Sequence, residues 1–245
     1  AFVVSFHAIF PVFTIGLASY IAVLEGIFYR TANPEWERLS MFWTKVFAVV
    51  FGMGVVSGIV MSFQFGTNWS SFAQAAANFM GPMLSYEVIT AFFLEAAFLG
   101  VLLFGRDKVP PGTHLFSAIM VALGTFVSSF WILATNSWMQ TPEGVMYFSG
   151  MYQVTSWTEA IFNPSFPYRF AHFAVASFLT GGSVTPPPGG SESTVVSSTP
   201  PPTGGCWSRP GLSSATAVVP RSVAVWSLRG GVGSSGRLSA PDGSP

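Results

Sequence analysis

The sequence predicts an all-α fold, a polytopic bundle of transmembrane helices followed by a disordered C-terminal tail. Half of the 245 residues are hydrophobic and only 8% are charged, against about 25% charged residues in an average soluble domain. Several apolar stretches reach the roughly 20 residues that cross a hydrocarbon core of about 30 Å. All 25 phenylalanines precede residue 183. The chain therefore divides into a membrane bundle, residues 1–182, and a tail of different character.

Four stretches are long enough to span the membrane completely. They cover residues 2–29, 42–64, 85–105 and 114–138. A fifth apolar stretch begins near Tyr168, but only about 15 residues follow before Ser183 and three consecutive prolines. At 1.5 Å per residue this helix would be about 22 Å long, and proline would prevent its continuation. We expect four full spans and a truncated fifth helix.

Residues 183–245 have the composition of a disordered segment. Ser, Gly and Pro occupy 34 of these 63 positions, without a sustained helical or strand period. Such a segment buries too little apolar surface to offset the entropy lost on ordering. Out-of-frame codons of a GC-rich gene would give this composition, so we interpret the tail as out-of-frame. The chain also starts inside an apolar run, and we expect truncation at both ends and no signal peptide.

Charge in the connections predicts the orientation of the bundle. Five basic residues flank the first and third connections: Arg30, Arg38, Lys45, Arg106 and Lys108. The second connection, 65–84, has no charge, and the fourth has only Arg169 as a basic residue. The positive-inside rule places connections one and three in the cytoplasm and the chain start outside.

The zero net charge gives no indication of a nucleic-acid partner, and the single cysteine excludes an intramolecular disulfide.

Two carboxylates, Glu87 and Glu95, interrupt the third apolar stretch, "YEVITAFFLEAAFLGVLLFG". An ionised carboxylate costs roughly 2.5–3.5 kcal/mol at the centre of a membrane helix, so such residues usually face a cavity, a partner or a cofactor. Eight residues correspond to about 80° of rotation and about 12 Å of rise. This spacing suits a proton relay. Two alternatives remain: neutral, hydrogen-bonded acids that only join helices, and a Glu87 that reaches the interface.

Histidines and uncharged aromatic loops accompany these acids on the predicted outer side. His7, four residues before Pro11, and His172 both lie in apolar helices, where neutral imidazole is a usual axial ligand of haem iron. A hydrogen-bonding role remains open for each. We expect His114, at the cytoplasmic entrance to the fourth span, to be capping or solvated. Trp69 and Trp138 fit an interfacial aromatic belt, although their loops could also cover a site.

Five blocks of sequence resemble, in order and spacing, the amino-terminal part of subunit I of cytochrome bd quinol oxidase. They are "SFHAIFPVFTIG", "FQFGTNWS", "AFFLEAAFLG", "ILATNSWMQTP" and "NPSFPYRFAHFAVASFLTG". The resemblance covers about residues 1–182. It implies an all-helical oxidase of the bacterial cytoplasmic membrane that carries low-spin haem b, high-spin haem b and haem d. It also implies oxidation of quinol, reduction of dioxygen to water and generation of proton motive force.

The resemblance assigns roles by position. His7 resembles a ligand of a high-spin haem, with haem d preferred over the high-spin haem b, and His172 resembles an axial ligand of the low-spin haem b. Glu87 corresponds to an acid beside haem d, and Glu95 to its deeper companion in the proton path. A second oxidase subunit, quinol, dioxygen and the lipid bilayer are the implied partners. The family's remaining haem ligands and its quinol-binding loop have no counterpart here.

Two other functions stay open at this point. A non-catalytic membrane fragment would insert the helices without a complete haem set, and a small transporter or channel could also use intramembrane acids. A transporter or channel would not explain why two histidines lie in apolar helices on the predicted outer side. We do not expect this polypeptide to oxidise quinol alone, and the sequence leaves the quinone type open.

Overall fold

Helices form most of the part of the chain that the computed structural model describes, which is residues 2–185. They are α1 (Phe2–Thr31), α2 (Pro34–Gly66), α3 (Ser70–Ala75), α4 (Ala77–Glu87), α5 (Phe93–Phe104), α6 (Pro111–Gln140), α7 (Trp157–Ile161) and α8 (Phe166–Val184). A π-helical turn, Val88–Phe92, joins α4 to α5, and the strands β1 (Val145–Phe148) and β2 (Met151–Val154) form a hairpin.

The four predicted spans are confirmed. α1, α2, the combined segment Ala77–Phe104 and α6 are each long and apolar enough to cross a membrane. α2 begins earlier than its apolar stretch because Asn33 caps it, with Asn33 Oδ1 accepting a hydrogen bond from the Glu35 N–H at 2.9 Å. Because the first turn of α2 is polar, hydropathy alone does not indicate that the helix begins there.

α8 is longer than the fifth helix that the sequence predicts. It has 19 residues and includes Ser183 and Val184, which we had assigned to the tail. The helix ends at Thr185, whose extended backbone (φ −90°, ψ 134°) is usual before a proline. α8 is not among the four helices that qualify as spans. The predicted disorder and reading-frame shift concern residues 183–245, of which 186–245 lie outside the described residues.

The hairpin between α6 and α7 was not predicted. Ser149 and Gly150 form its two-residue turn, with φ values of 50° and 83°. Positive φ at both central positions matches the twist of the flanking strands. Since each strand has only four residues, the local alternation is too short to predict a strand.

The helices pack around α1 and α6. α1 contacts α2, α6 and α8, and α6 also contacts the third span and α8. We call the end with the first and third connections, residues 32–33 and 105–110, the basic end, and the opposite end the hairpin end. One apolar cluster includes Leu24, Phe47 and Leu102, and a second, which includes Phe79 and Trp138, lies toward the hairpin end.

Candidate functional site

Glu87 and Glu95 lie on either side of the π turn, and both face α6. Glu87 Oε1 accepts a hydrogen bond from Ser128 Oγ at 2.8 Å. Glu95 packs against Gly124, which lies one turn from Ser128 on α6. A π-bulge accommodates about one extra residue, so the interval of eight residues acts as about seven α-helical steps. Seven steps are about two turns and leave both side chains within roughly 20° of one face. The π turn therefore aligns the acids more closely than an uninterrupted helix would.

Glu95 is the more deeply buried acid, with 6% of its surface exposed. Its Oε1 has no hydrogen-bond partner within residues 2–185. A Cβ atom added at Gly124 would lie 2.5 Å from Glu95 Cγ, so only glycine leaves room for this side chain. Because an unpaired buried oxygen is costly, the burial of Glu95 is not explained by packing alone.

His7, on α1, lies half-buried against α2. Its Nδ1 is 2.9 Å from Ser57 Oγ, and Ser57 Oγ donates its hydrogen to Gly54 O at 3.0 Å. With the one hydrogen of the hydroxyl on Gly54 O, Ser57 Oγ can accept from His7 Nδ1–H, and the lone pair of the ring is then on Nε2. A Cβ atom at Gly58 would approach His7 Cε1 to 3.2 Å. The ring is thus oriented by one nitrogen and free to bind with the other.

His172 lies at about the same level of the bundle as His7 but faces another direction. The parallel helices α1 and α8 meet where a Cβ atom on Gly16 would lie 2.7 Å from Gly181 Cα. Each histidine precedes its glycine by nine residues, which is about 13.5 Å and two and a half turns. Both rings lie toward the hairpin end and point away from the α1–α8 contact, and His172 is exposed.

The two histidines therefore lie in different surroundings, His7 against α2 and His172 on the exposed surface of α8. Among residues 2–185 no three His, Cys, Asp or Glu side chains gather to hold a metal ion. The π turn is linked to α2 by the stacking of Phe92 on Phe51, with ring centroids 6.3 Å apart.

The sequence analysis missed a buried ionic cluster at the basic end. Glu25, which is only 1% exposed, accepts hydrogen bonds from Ser40 Oγ and from the Arg106 guanidinium. Glu25 Oε2 lies 3.0 Å from His114 Nδ1. Glu37 lies 3.7 Å from Arg106 Nε. One carboxylate thus joins α1, α2, the third connection and α6.

The expected solvated position of His114 is wrong, since its exposed fraction is 1%. Its partners explain why the sequence did not indicate burial. Glu25 and His114 are 89 positions apart, so no local spacing connects them. The available signal was Glu25 itself, an acid on the apolar first helix.

Trp138 does not belong to an interfacial belt, which corrects a second expectation. It is 1% exposed, packs on Phe79 with ring centroids 4.3 Å apart, and donates from Nε1 to Glu143 O at 3.2 Å. Trp69 is half-buried beside Phe65, with ring centroids 5.5 Å apart. Trp69 precedes α3, Trp138 lies near the end of α6, and the segments that follow them meet at the hairpin end, where α3 contacts β2.

Comparison with known proteins adds a family to this geometry. Residues 1–186 match the model of the family described as cytochrome bd terminal oxidase subunit I. The chain is 36% identical over 178 residues to cytochrome bd-II ubiquinol oxidase subunit 1 of Escherichia coli K12, covering 72% of this chain and 35% of that protein. It is 35% identical over 176 residues to cytochrome bd ubiquinol oxidase subunit 1 of Bacillus subtilis, covering 72% and 38%.

A solved structure is similar over the same region. The bd oxidase from Geobacillus thermodenitrificans superimposes with a TM-score of 0.68 at 30% sequence identity, over 72% of this chain and 41% of that chain. The chain therefore spans little more than a third of the length of the curated relatives that it matches.

Proposed function

Because this chain belongs to the cytochrome bd terminal oxidase subunit I family, we propose that it is the haem-containing subunit of a respiratory oxidase of the bacterial cytoplasmic membrane. It oxidises quinol, reduces dioxygen to water and contributes to proton motive force. The single observation that carries the proposal is the pairing of His7 Nδ1 with Ser57 Oγ, which leaves Nε2 to serve as an axial ligand.

The residues present fit haem. In metal sites a ligating histidine usually donates its other ring N–H to an acceptor, which fixes the ring orientation, and Ser57 supplies that acceptor to His7. His7 would hold a high-spin haem, either haem d or the high-spin haem b, and the exposed His172 would hold the low-spin haem b. When bound, the haem groups supply electron transfer and the binding of dioxygen.

The acids hold and transfer protons in this proposal. Glu95 Oε1 is buried without a partner in the described residues, so it can take a proton without first breaking a hydrogen bond. Glu87 Oε1 accepts from Ser128 Oγ, which fixes its side chain beside the same face of α6. The two carboxyl groups would pass protons in sequence toward the site where dioxygen is reduced, with Glu87 also lining the high-spin haem site.

The proposed partners and orientation follow the family and the charges. A second oxidase subunit and quinol would complete the enzyme in the bilayer. The basic end would face the cytoplasm, because the connections there carry the excess of Lys and Arg. Both histidines and Glu87 would then lie toward the outer surface.

Reduced-minus-oxidised spectra test the proposal in membranes where residues 2–185 are expressed within a full-length subunit I of the family, together with a second oxidase subunit. We expect b-type bands and a haem d band in the red. His172→Ala should abolish the low-spin b band, and the control Phe178→Ala, on the exposed surface of the same helix, should retain it. A spectrum without haem would overturn the oxidase and favour a non-catalytic fragment or a transporter. An unchanged spectrum of His172→Ala would remove its assignment as a ligand.

A further inference from the structure

The structure gives the buried cluster at the basic end a role toward Glu95. We propose that His114 is a positioning residue that anchors the last turn of α5 to α6 and thereby fixes the depth of Glu95. The functional part of this inference rests on the proposed role of Glu95 in proton transfer. The geometric part stands on the contacts of His114 alone.

His114 satisfies a carbonyl that the end of α5 leaves without a helical partner. α5 ends at Phe104, so Leu102 O lacks the N–H of a residue four positions ahead in the helix. His114 Nε2 lies 3.2 Å from Leu102 O, and a carbonyl only accepts, so Nε2 donates. This hydrogen bond joins the last turn of α5 to the first turn of α6.

The other nitrogen of the ring is held from a second direction. Nδ1 faces Glu25 Oε2 at 3.0 Å. Glu25 is itself fixed by Ser40 and Arg106. The imidazole therefore cannot move without breaking its contacts to both α1 and α5.

The anchor acts on Glu95 through the rigid body of α5. Glu95 precedes Leu102 by seven residues, about two turns, so both lie on nearly the same face of the helix. Near the start of α5, Glu95 packs closely against Gly124 of α6. Beyond Glu95 the π turn gives the third span a place to absorb a shift of one residue. Without the anchor, α5 could shift at the π turn and displace Glu95 from Gly124.

Two matched substitutions separate this role from simple stability. The amide of Gln reaches the position of His Nε2, so His114→Gln keeps a donor for Leu102 O. The shorter amide of Asn reaches only the position of Nδ1, so His114→Asn keeps the contact to Glu25 and loses the one to Leu102. Both variants are polar and small enough for the site, and they differ by one methylene group.

The measurement is the rate at which a hydrophobic carbodiimide labels Glu95, relative to Glu87, in membranes that contain the full chain. Mass spectrometry quantifies both sites, and Glu95→Gln identifies the labelled position. We expect His114→Asn to change the ratio of Glu95 to Glu87 labelling by about tenfold, the size expected for loss of one buried hydrogen bond. His114→Gln should stay within about twofold of the unsubstituted chain.

Equal ratios in the Asn and Gln variants would overturn the proposal, as would a parallel change at both acids, which indicates general loosening. The labelling ratio is compared between variants at equal haem content, and it can be measured in membranes with or without haem bands. A membrane without haem bands but with the expected ratios would reject the oxidase and keep the anchor, and the reverse result would reject only the anchor.

Discussion

Individual side chains carry the proposed chemistry, and the role of each depends on which of its polar atoms have no hydrogen-bond partner. His7 has one nitrogen engaged and one available, while Glu95 has a carboxyl oxygen without a partner in residues 2–185. Glu25, equally remote from water, is saturated by Ser40, Arg106 and His114. A saturated buried acid fits a structural role, and an unsaturated one fits a reactive role.

Ser57→Ala tests the orientation of His7. Removing the acceptor of the Nδ1–H should weaken haem binding at this site by about 10–100-fold, the usual effect of losing the outer partner of a ligating histidine. Haem titration followed by absorption measures the affinity. Ser62→Ala is the matched control, because Ser62 lies on the same helix and its hydroxyl bonds only to the Gly58 carbonyl in the described residues. Equal affinity in both variants would contradict the role of Ser57.

Glu95→Gln tests the proton relay. The amide keeps the shape of the side chain but cannot release a proton, so oxygen reduction should slow by roughly 10²-fold, while haem content per polypeptide changes little. Oxygen consumption and absorption spectra measure the two quantities. Glu143→Gln, which alters an exposed carboxylate, should leave both unchanged. Normal turnover of Glu95→Gln would count against the relay.

At the scale of elements, the positions of helices are determined by a few close approaches. Gly16 and Gly181 let α1 and α8 meet at backbone distance, and this contact sets the common level of the two histidines. The π turn similarly sets the alignment of the two acids. Neither feature has a strong local signal, because glycines recur in the apolar helices and the sequence around Val88–Phe92 reads as an ordinary helix.

Gly181→Ala tests the helix contact. Its new methyl group would lie 2.6 Å from Gly16 Cα, and both elements are backbone, so the helices must separate. We expect a loss of about 1–3 kcal/mol in stability, as for other overpacked positions, visible as a lower Tm by circular dichroism in detergent. The neighbouring Gly182→Ala meets nothing within 4 Å and should retain the original Tm. Indistinguishable melting of the two variants would mean that the contact does not form.

At the scale of the whole molecule, the distribution of charge predicts how the bundle sits in the membrane. Basic residues concentrate at one end of the described chain, and the uncharged loops and the hairpin lie at the other. This asymmetry is the property that orients membrane helices during insertion.

Single cysteines test this orientation after Cys206, the only cysteine of the chain, is changed to Ser. A membrane-impermeant maleimide should label Ser149→Cys in intact cells. Lys108→Cys should react only after the cells are permeabilised. Labelling of Lys108→Cys in intact cells would reverse the orientation and move the proposed histidine sites to the cytoplasmic leaflet.

The sequence by itself determined the number of spans and the presence of acids and histidines inside apolar helices. Hydropathy is a local sum over about 20 residues, and a charged or ligating group inside such a window is visible without a structure. The two acids and two histidines are therefore visible in the sequence alone, although their roles in proton transfer and haem binding remain proposals. The end of α8 before Pro186 follows from a similarly local signal, because proline disfavours a helical conformation in the residue that precedes it.

Only the tertiary structure decided which polar groups meet. It paired Glu25 with Arg106 and His114, buried Trp138, and gave His7 a hydrogen-bond partner, Ser57, on the next helix. These partners are 50 or more positions apart, except where Trp138 bonds to the nearby Glu143 carbonyl. A hydrogen bond depends on the distance and direction between two atoms, and for such distant partners helix packing alone sets both.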